Sequence, residues 1–231
     1  MHLRGCWITH NDSGDGPVLY CSRNLSFHEA QACVVEGARA IDWEDVTVLD
    51  GDVIVADTGN NMLTRRVVTL YRVRFEGEPC GTDSSGPGGL QLVGAYHLKF
   101  PDGPHDVEAL TAWAGRLLLV TKARREPETL LFEIDDLPPV ALGVKKPLEP
   151  RLVGKVPLPE GWQVTAADSD SSGRIFLLTY RGIAEIEVTS SGVQCEIVRG
   201  FSAGQCEALC VTQASFVITN EERDVFVLPR R

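Results

Sequence analysis

The chain has 231 residues, 43% of them hydrophobic, which suffices for one sizeable core. Its formal net charge of -10 argues against a nucleic-acid backbone or an anionic lipid surface as the main partner, because both are gripped by clustered Lys and Arg. No apolar run approaches the ~20 residues of a membrane-spanning helix, and the 22 Gly and 13 Pro imply many turns rather than long helices.

The N-terminus, "MHLRGCWITH", lacks the apolar core of a signal peptide, so at face value the chain is intracellular. The stretch "GCWITHNDSGDGPVLYCS" fits the second and third strands of a four-stranded unit, with "NDSGD" first a turn and only second a ligand loop. In "SFHEAQACVVEG", Ser26 and Glu29 have capping-box spacing, but the segment stands where an outer strand belongs, and strand is the expectation.

A triplet of strands then recurs. "DWEDVTVL" turns at Asp50-Gly51 into "DVIVAD", followed by "VVTLYRVRF". "VEALTAW" turns at Ala114-Gly115 into "RLLLVTK", followed by "TLLFEID". "VTAADSD" turns at Ser172-Gly173 into "RIFLLTY", followed by "GIAEIEV", and "CEALCVT" turns near Gln213 into "SFVITNE", followed by "DVFVLP". Further strands, "LQLVGAYHLKF", "RLVGKVPL" and "VQCEIVRGF", lie between. Four antiparallel strands repeated at a pitch of roughly 40 to 60 residues is the signature of propeller blades. The expectation is an all-β chain: one β-propeller domain over residues 1–231, with five blades. The first and last blades are incomplete, lacking an inner and an outer strand respectively, which leaves a seam between Trp7 and Ile8 on one side and Val225 and Val227 on the other.

Seven cysteines leave at least one without a partner in the chain. Their spacing fits neither a disulfide framework nor a zinc site, so they read as small buried apolar residues. "QCEALC" places Cys206 and Cys210 on one face of a strand.

In a blade the first strand lines the channel and the second runs back antiparallel, so the start of one and the end of the other emerge at one mouth. That set comprises His10, Asn11 and Asp12 from the first blade, and Asp42, Glu44, Asp57 and Asn61 from the second. The third gives His105, Asp106, Glu108 and Lys122, the fourth Arg181, and the fifth Glu207, Asn220 and Glu221. Glu44, Glu108 and Glu207 share one repeat slot, which the fourth blade fills with Ala166. Converging carboxylates repel unless a cation neutralises them, and hard oxygen ligands suit a divalent cation such as Ca²⁺ or Mg²⁺. The structural alternative is that each Glu accepts hydrogen bonds from a neighbouring blade's backbone.

"DSDSSGRI" places Asp168, Asp170, Ser172 and Gly173 as in the first half of a calcium loop, but its twelfth position is Thr179 rather than a bidentate Glu, so a hairpin turn is expected. No G-x-S-x-G, H-E-x-x-H or phosphate-cradling Gly loop occurs. His10 and His105 stand beside carboxylates as general-base candidates, or as braces of strand ends.

"WITHNDSGD" (Trp7–Asp15), "DWED" (Asp42–Asp45), "ADTGNN" (Ala56–Asn61), "FPDGPHDVEAL" (Phe100–Leu110) and "VTK" (Val120–Lys122) follow one another in the order of a known pattern. The chain resembles a family of largely uncharacterised, often secreted bacterial proteins with W-T-H-N-D-S-G-D, D-W-E-D, G-D-I-G-D-N, H-D-A-E-A-L and V-T-K motifs. The resemblance spans nearly the whole chain and implies a β-propeller; the family has no established activity to carry over. Ala56 and Asn60 stand where the family tends to have Gly and Asp, and Leu178 where it has Arg before a Thr-Tyr pair, with Arg181 after that pair here. Family members usually carry a preceding strand segment, so the resemblance implies truncation at the N-terminus, and secretion if a signal peptide lies upstream.

The expected function is therefore a binding or interaction module whose acidic mouth holds a divalent cation or a small polar ligand, with no nucleic-acid partner and no transmembrane segment. The alternative is a metal-assisted hydrolase of an ester, lactone or phosphate, with Glu44, Glu108 and Glu207 holding the ion and His105 moving protons.

Overall fold

The computed structural model describes residues 1–11, 14–81, 88–124, 128–138, 146–201 and 203–230. It contains strands and turns only, arranged as five antiparallel blades of a β-propeller. Among the described residues no helix is long and apolar enough to cross a membrane.

Blade one has β1 (His2–Leu3), β2 (Cys6–Thr9), β3 (Val18–Ser22) and β4 (Gln31–Val34); blade two has β5 (Trp43–Leu49), β6 (Asp52–Asp57), β7 (Val68–Glu76) and β8 (Gly89–Leu98). Blade three has β9 (Val107–Trp113), β10 (Arg116–Thr121), β11 (Leu130–Ile134) and β12 (Arg151–Lys155). Blade four has β13 (Val164–Ser169), β14 (Ile175–Thr179), β15 (Gly182–Thr189) and β16 (Gly192–Gly200); blade five has three strands, β17 (Cys206–Val211), β18 (Ser215–Asn220) and β19 (Val225–Pro229). The inner position of blade one, expected to be vacant, holds the two-residue β1, and Met1 extends it by exchanging backbone hydrogen bonds with Ile8. The segment with capping-box spacing is strand at Gln31–Val34.

Asp50-Gly51 and Ala114-Gly115 both have positive φ (53° and 81°; 51° and 78°) and join an inner strand to the second strand of its blade. Two consecutive positive φ values match the right-handed strand twist across a two-residue hairpin. Gly173, at φ 87°, serves the turn between β13 and β14.

The continuous apolar runs follow from burial on both faces of the second strands, where alternate residues enter different cores. Leu117 and Leu119 of β10 pack toward blade two with Ile54, Leu70 and Phe132, while Leu118 and Val120 pack toward blade four with Leu177. Ile175 and Leu177 of β14 face blade three, and Phe176 and Leu178 face Phe216 and Ile218 of blade five. Four apolar clusters thus fill the successive interfaces from blades one–two to four–five. None of them joins blade five to blade one among the described residues.

Two expectations about cysteine are corrected. Cys6 of β2 and Cys80 form a disulfide with a Cα–Cα distance of 5.9 Å. The partners are 74 residues apart and meet only because the loop after β7 returns to blade one, which local spacing does not encode. Cys206 and Cys210 do not share a face. A bulge at Glu207 shifts the register by one, so Cys206 joins Leu209 in the core toward blade four while Cys210 lies opposite Val217.

Candidate functional site

Each of the four long inner strands carries a β-bulge near its start. The shift lies between Trp43 and Asp45, opposite Val107–Ala109, between Val164 and Ala166, and between Cys206 and Ala208. The extra residues are Glu44, Glu108, Thr165 and Glu207. A bulged residue leaves the ladder and its side chain is re-aimed, which is how three blades deliver a glutamate to the channel. The fourth blade's residue in this slot is Thr165, not Ala166. Its hydroxyl donates to the Cys206 carbonyl at 2.6 Å, so it ties blade four to blade five.

The register also corrects the partner slot at the end of the second strand. Trp43, Val107, Val164 and Cys206 lie opposite Asp57, Thr121, Thr179 and Asn220, so the following residues, Thr58, Lys122, Tyr180 and Glu221, are equivalent. Asp57 is one residue early and Arg181 one late. Thr58 is buried and donates to the Val107 carbonyl at 2.7 Å.

Glu44, Asn61, Glu108, Lys122, Glu207 and Glu221 line a single cavity of about 710 Å³. His10 and Asn11 border it too, as do Tyr180 and Arg124, which residue counting missed. The signal for Tyr180 was present: "LLTY" aligns with "LLVTK" once Thr179 is set against Thr121. Asp42 stands behind this wall, where its carboxyl and that of Glu44 lie against Gly59; a Cβ there would collide with both. Asp57 is buried, accepts from the Asp42 amide at 2.9 Å and pairs with Arg65 at 3.1 Å. Asp106 accepts from the Asn60 amide at 2.7 Å. His105 is buried against Phe100 and Phe132, with Nε2 2.9 Å from Asp102, so it braces the loop before β9. Arg181 is exposed and donates to the Gly161 carbonyl at 3.2 Å. Asp12 lies outside the described residues.

The cavity's electrostatic centre is blade three. Lys122 Nζ donates to Glu108 Oε2 at 2.7 Å, and both residues are more than 90% buried. Glu108 Oε1 is buried without a hydrogen-bond partner among the described residues. Burial pushes Glu108 up to about 7 against the pull of Lys122, with Asp106 and Glu207 adding repulsion. Lys122, although buried, is held above its ordinary value by Glu108, and its ammonium lies 5.4 Å from the centre of the Tyr180 ring. The Tyr180 hydroxyl donates to Glu207 Oε1 at 2.7 Å. Lys122 and Tyr180 thus stand side by side, each serving a bulge glutamate.

Below them, Asp45 ties three blades together. Its carboxylate accepts from the amides of Val46 (2.8 Å), Leu110 (2.8 Å) and Ala167 (3.1 Å), and burial pushes it up to about 7 despite these bonds. Asp168 repeats the device between blades four and five, accepting from the Val211 amide at 2.7 Å. In "DSDSSGRI", Asp170 accepts from the Ser172 and Arg174 amides, closing a hairpin turn, and in "NDSGD" Asp15 likewise accepts from Asn11, Gly16 and Tyr20. Among the described residues no three His, Cys, Asp or Glu side chains are grouped to hold a metal ion.

No protein-family model and no curated protein matches this sequence. Among solved structures, the chain is similar to a gluconolactonase from Xanthomonas campestris, with a TM-score of 0.51 and 14% identity over 92% of this chain. It spans 65% of that protein's length. A candidate gluconolactonase solved by structural genomics gives a TM-score of 0.47 at 16% identity, covering 98% of this chain and 71% of its own. A protein of unknown function from Bacteroides caccae gives 0.44 at 9% identity, covering 96% and 71%. At 14% identity the likeness to the first of these shows the β-propeller fold alone.

Proposed function

We propose that this propeller is a binding module whose central cavity takes a small polar ligand rich in hydroxyl or ammonium donors. The observation that carries this reading is Glu108 Oε1, a buried acceptor with no hydrogen-bond partner among the described residues. Leaving such an oxygen unpaired costs on the order of 1–3 kcal/mol, which a donating ligand returns on binding. Glu44, Glu207 and Glu221 border the cavity opposite Lys122, Arg124 and Arg223, so these acidic and basic side chains are present in equal number and a neutral, hydroxyl-rich ligand meets partners of both kinds. A divalent cation held by Glu44, Glu108 and Glu207 fits less well: the Lys122 ammonium already neutralises Glu108, and Tyr180 already donates to Glu207.

The test is calorimetric titration with glucose as hydroxyl probe, putrescine as ammonium probe and calcium chloride as ion probe. Saturable binding of glucose or putrescine, weakened at least ~10-fold by Glu108→Gln, supports the reading. Unchanged affinity in the variant, no binding of either probe, or saturable binding of calcium alone would contradict it.

A second reading, an ester or lactone hydrolase, draws on the Glu108 carboxyl at about 7, which suits a general base at neutral pH. In that reading Glu108 takes a proton from water as the water attacks the carbonyl, the Lys122 ammonium stabilises the oxyanion, and collapse of the tetrahedral adduct breaks the acyl C–O bond as Glu108 returns the proton to the departing alcohol oxygen. The gluconolactonase-like fold makes glucono-δ-lactone the first substrate to assay. Hydrolysis rising through about pH 7 and lost in Glu108→Gln would favour it over simple binding.

A further inference from the structure

Blade one is the weakest wall of the cavity. Its strands have 2, 4, 5 and 4 residues, against 7, 6, 9 and 10 in blade two. Its core face, with Ile8 and Leu19, packs on blade two, while Trp7 and Thr9 on the opposite face join no apolar cluster. Yet this blade supplies Ile8, Thr9, His10 and Asn11 to the cavity lining. Four of the seven cysteines gather in its core: Cys6 and Cys80, already joined, with Cys21 of β3 and Cys33 of β4. Cys21 and Cys33 are 1% and 5% exposed, and their sulfurs are 3.7 Å apart.

We propose that Cys21 and Cys33 form an oxidative modification site: a second, intra-blade disulfide made by exchange with a low-molecular-weight disulfide, which locks the blade-one wall. The ladder sets Cys33 opposite Leu19 and Cys21 opposite Gln31, so the two thiols are diagonal neighbours on the same face of adjacent strands. Closing 3.7 Å to a bond of ~2.05 Å asks for side-chain rotation and, because a diagonal pair stands wider than a directly opposite one, a local approach of β3 and β4. Cys33 lies on the edge strand β4, outside Cys21 on β3, so it is the sulfur an external disulfide reaches first. The Cys33 thiolate attacks one sulfur of the external disulfide, forming a mixed disulfide and releasing one thiolate. The Cys21 thiolate then attacks the Cys33 sulfur and releases the second. Two cysteines are oxidised by two electrons, the external disulfide is reduced to two thiols, and the two cysteine protons pass to them.

The experiment refolds the full chain from its reduced state in glutathione/glutathione-disulfide buffer, then quenches it with acid. Free thiols are alkylated under denaturing conditions and mapped by mass spectrometry, with near-ultraviolet circular dichroism reporting the fold. The expected product carries a Cys21–Cys33 cross-link, alkylation confined to Cys195, Cys206 and Cys210, and a Tm roughly 5–10 °C above that of Cys21→Ser. Cys21→Ser should restore alkylation of Cys33, and Cys195→Ser should leave the cross-link in place. Native protein held in the same buffer gives the same readout if refolding is incomplete. Folded protein in which Cys21 and Cys33 are both alkylated, or in which either is joined to Cys6 or Cys80, would overturn the proposal.

Discussion

Glu108 and Glu207 occupy the same bulge in blades three and five, each followed by Ala, and both line the cavity. Their environments differ. Glu108 is 1% exposed and paired with an ammonium, whereas Glu207 is half-buried and accepts from a neutral phenol. The cause lies in the flanks. Blade three has filled cores on both sides, from Leu117 and Leu119 on one face of β10 and Leu118 and Val120 on the other. Blade five is filled on one side by Phe216 and Ile218, while the opposite face of β18 carries Ser215, Val217 and Thr219 and joins no cluster. One repeat slot therefore yields a desolvated acceptor where the walls are packed and an ordinary polar group where they are open.

The strongest way to break this comparison is to remove the donors. Lys122→Met should cost about 4 kcal/mol at pH 8, because it strands a buried carboxylate. Tyr180→Phe should cost about 1 kcal/mol, the value of one neutral hydrogen bond. Urea denaturation of the two variants measures both; equal losses would mean that the two slots are equally buried. The Lys122→Met penalty should also shrink below pH 6, where Glu108 takes up a proton.

Packing gives the next contrast. Leu118→Ala, between blades three and four, should cost about 3 kcal/mol, and Val217→Ala, beside the open face, about 1 kcal/mol. Reversal of that order in denaturant midpoints would show that the blade five–blade one side is as tightly packed as the rest.

The pH dependence sharpens the same point. Glu108 and Asp45 keep their protons in the folded chain up to about pH 7 but release them at ordinary carboxylate values when unfolded. Between roughly pH 4.5 and 7 the folded state binds more protons, so their contribution is complete at the acid end and falls as pH rises, by roughly 3–4 kcal/mol for each group. Asp52, desolvated but held low by Arg74 and Arg72, acts in the opposite sense, its contribution being lost as pH drops below its ordinary range. Glu108→Gln should flatten the fall between pH 4.5 and 7. The smallest expected effect is at the blade-three hairpin, where Ala114 sits at φ 51°. Ala114→Gly should raise stability by about 0.5–1 kcal/mol, measurable as a higher urea midpoint.

The blades were legible in the sequence because strands buried on both faces read as unbroken apolar runs, as in "LLLV" and "IFLL", bounded by turn residues. The glutamate slot was legible for the same reason: Glu44, Glu108 and Glu207 stand at the start of equivalent strands. The bulge was not, since it depends on pairing with the neighbouring strand, and without it the slots shift by one. Hence Ala166 stood in for Thr165 and Arg181 for Tyr180. Asp45 and Asp168 also escaped notice as inter-blade ties, because a carboxylate that accepts backbone amides from other blades has no local signature. Cys6–Cys80 was hidden for the same reason, being a long-range contact without a spacing rule.

The most direct test of the account is the titration of Glu108 itself, followed through the side-chain carboxyl ¹³C resonance and assigned with Glu108→Gln. A midpoint near 7, shifted when glucose or putrescine binds, is the result expected of a desolvated acceptor in a ligand cavity. A midpoint near 4.5, unmoved by either probe, would mean that Glu108 is an ordinary solvated carboxylate and that the cavity has no buried acceptor for a ligand to fill.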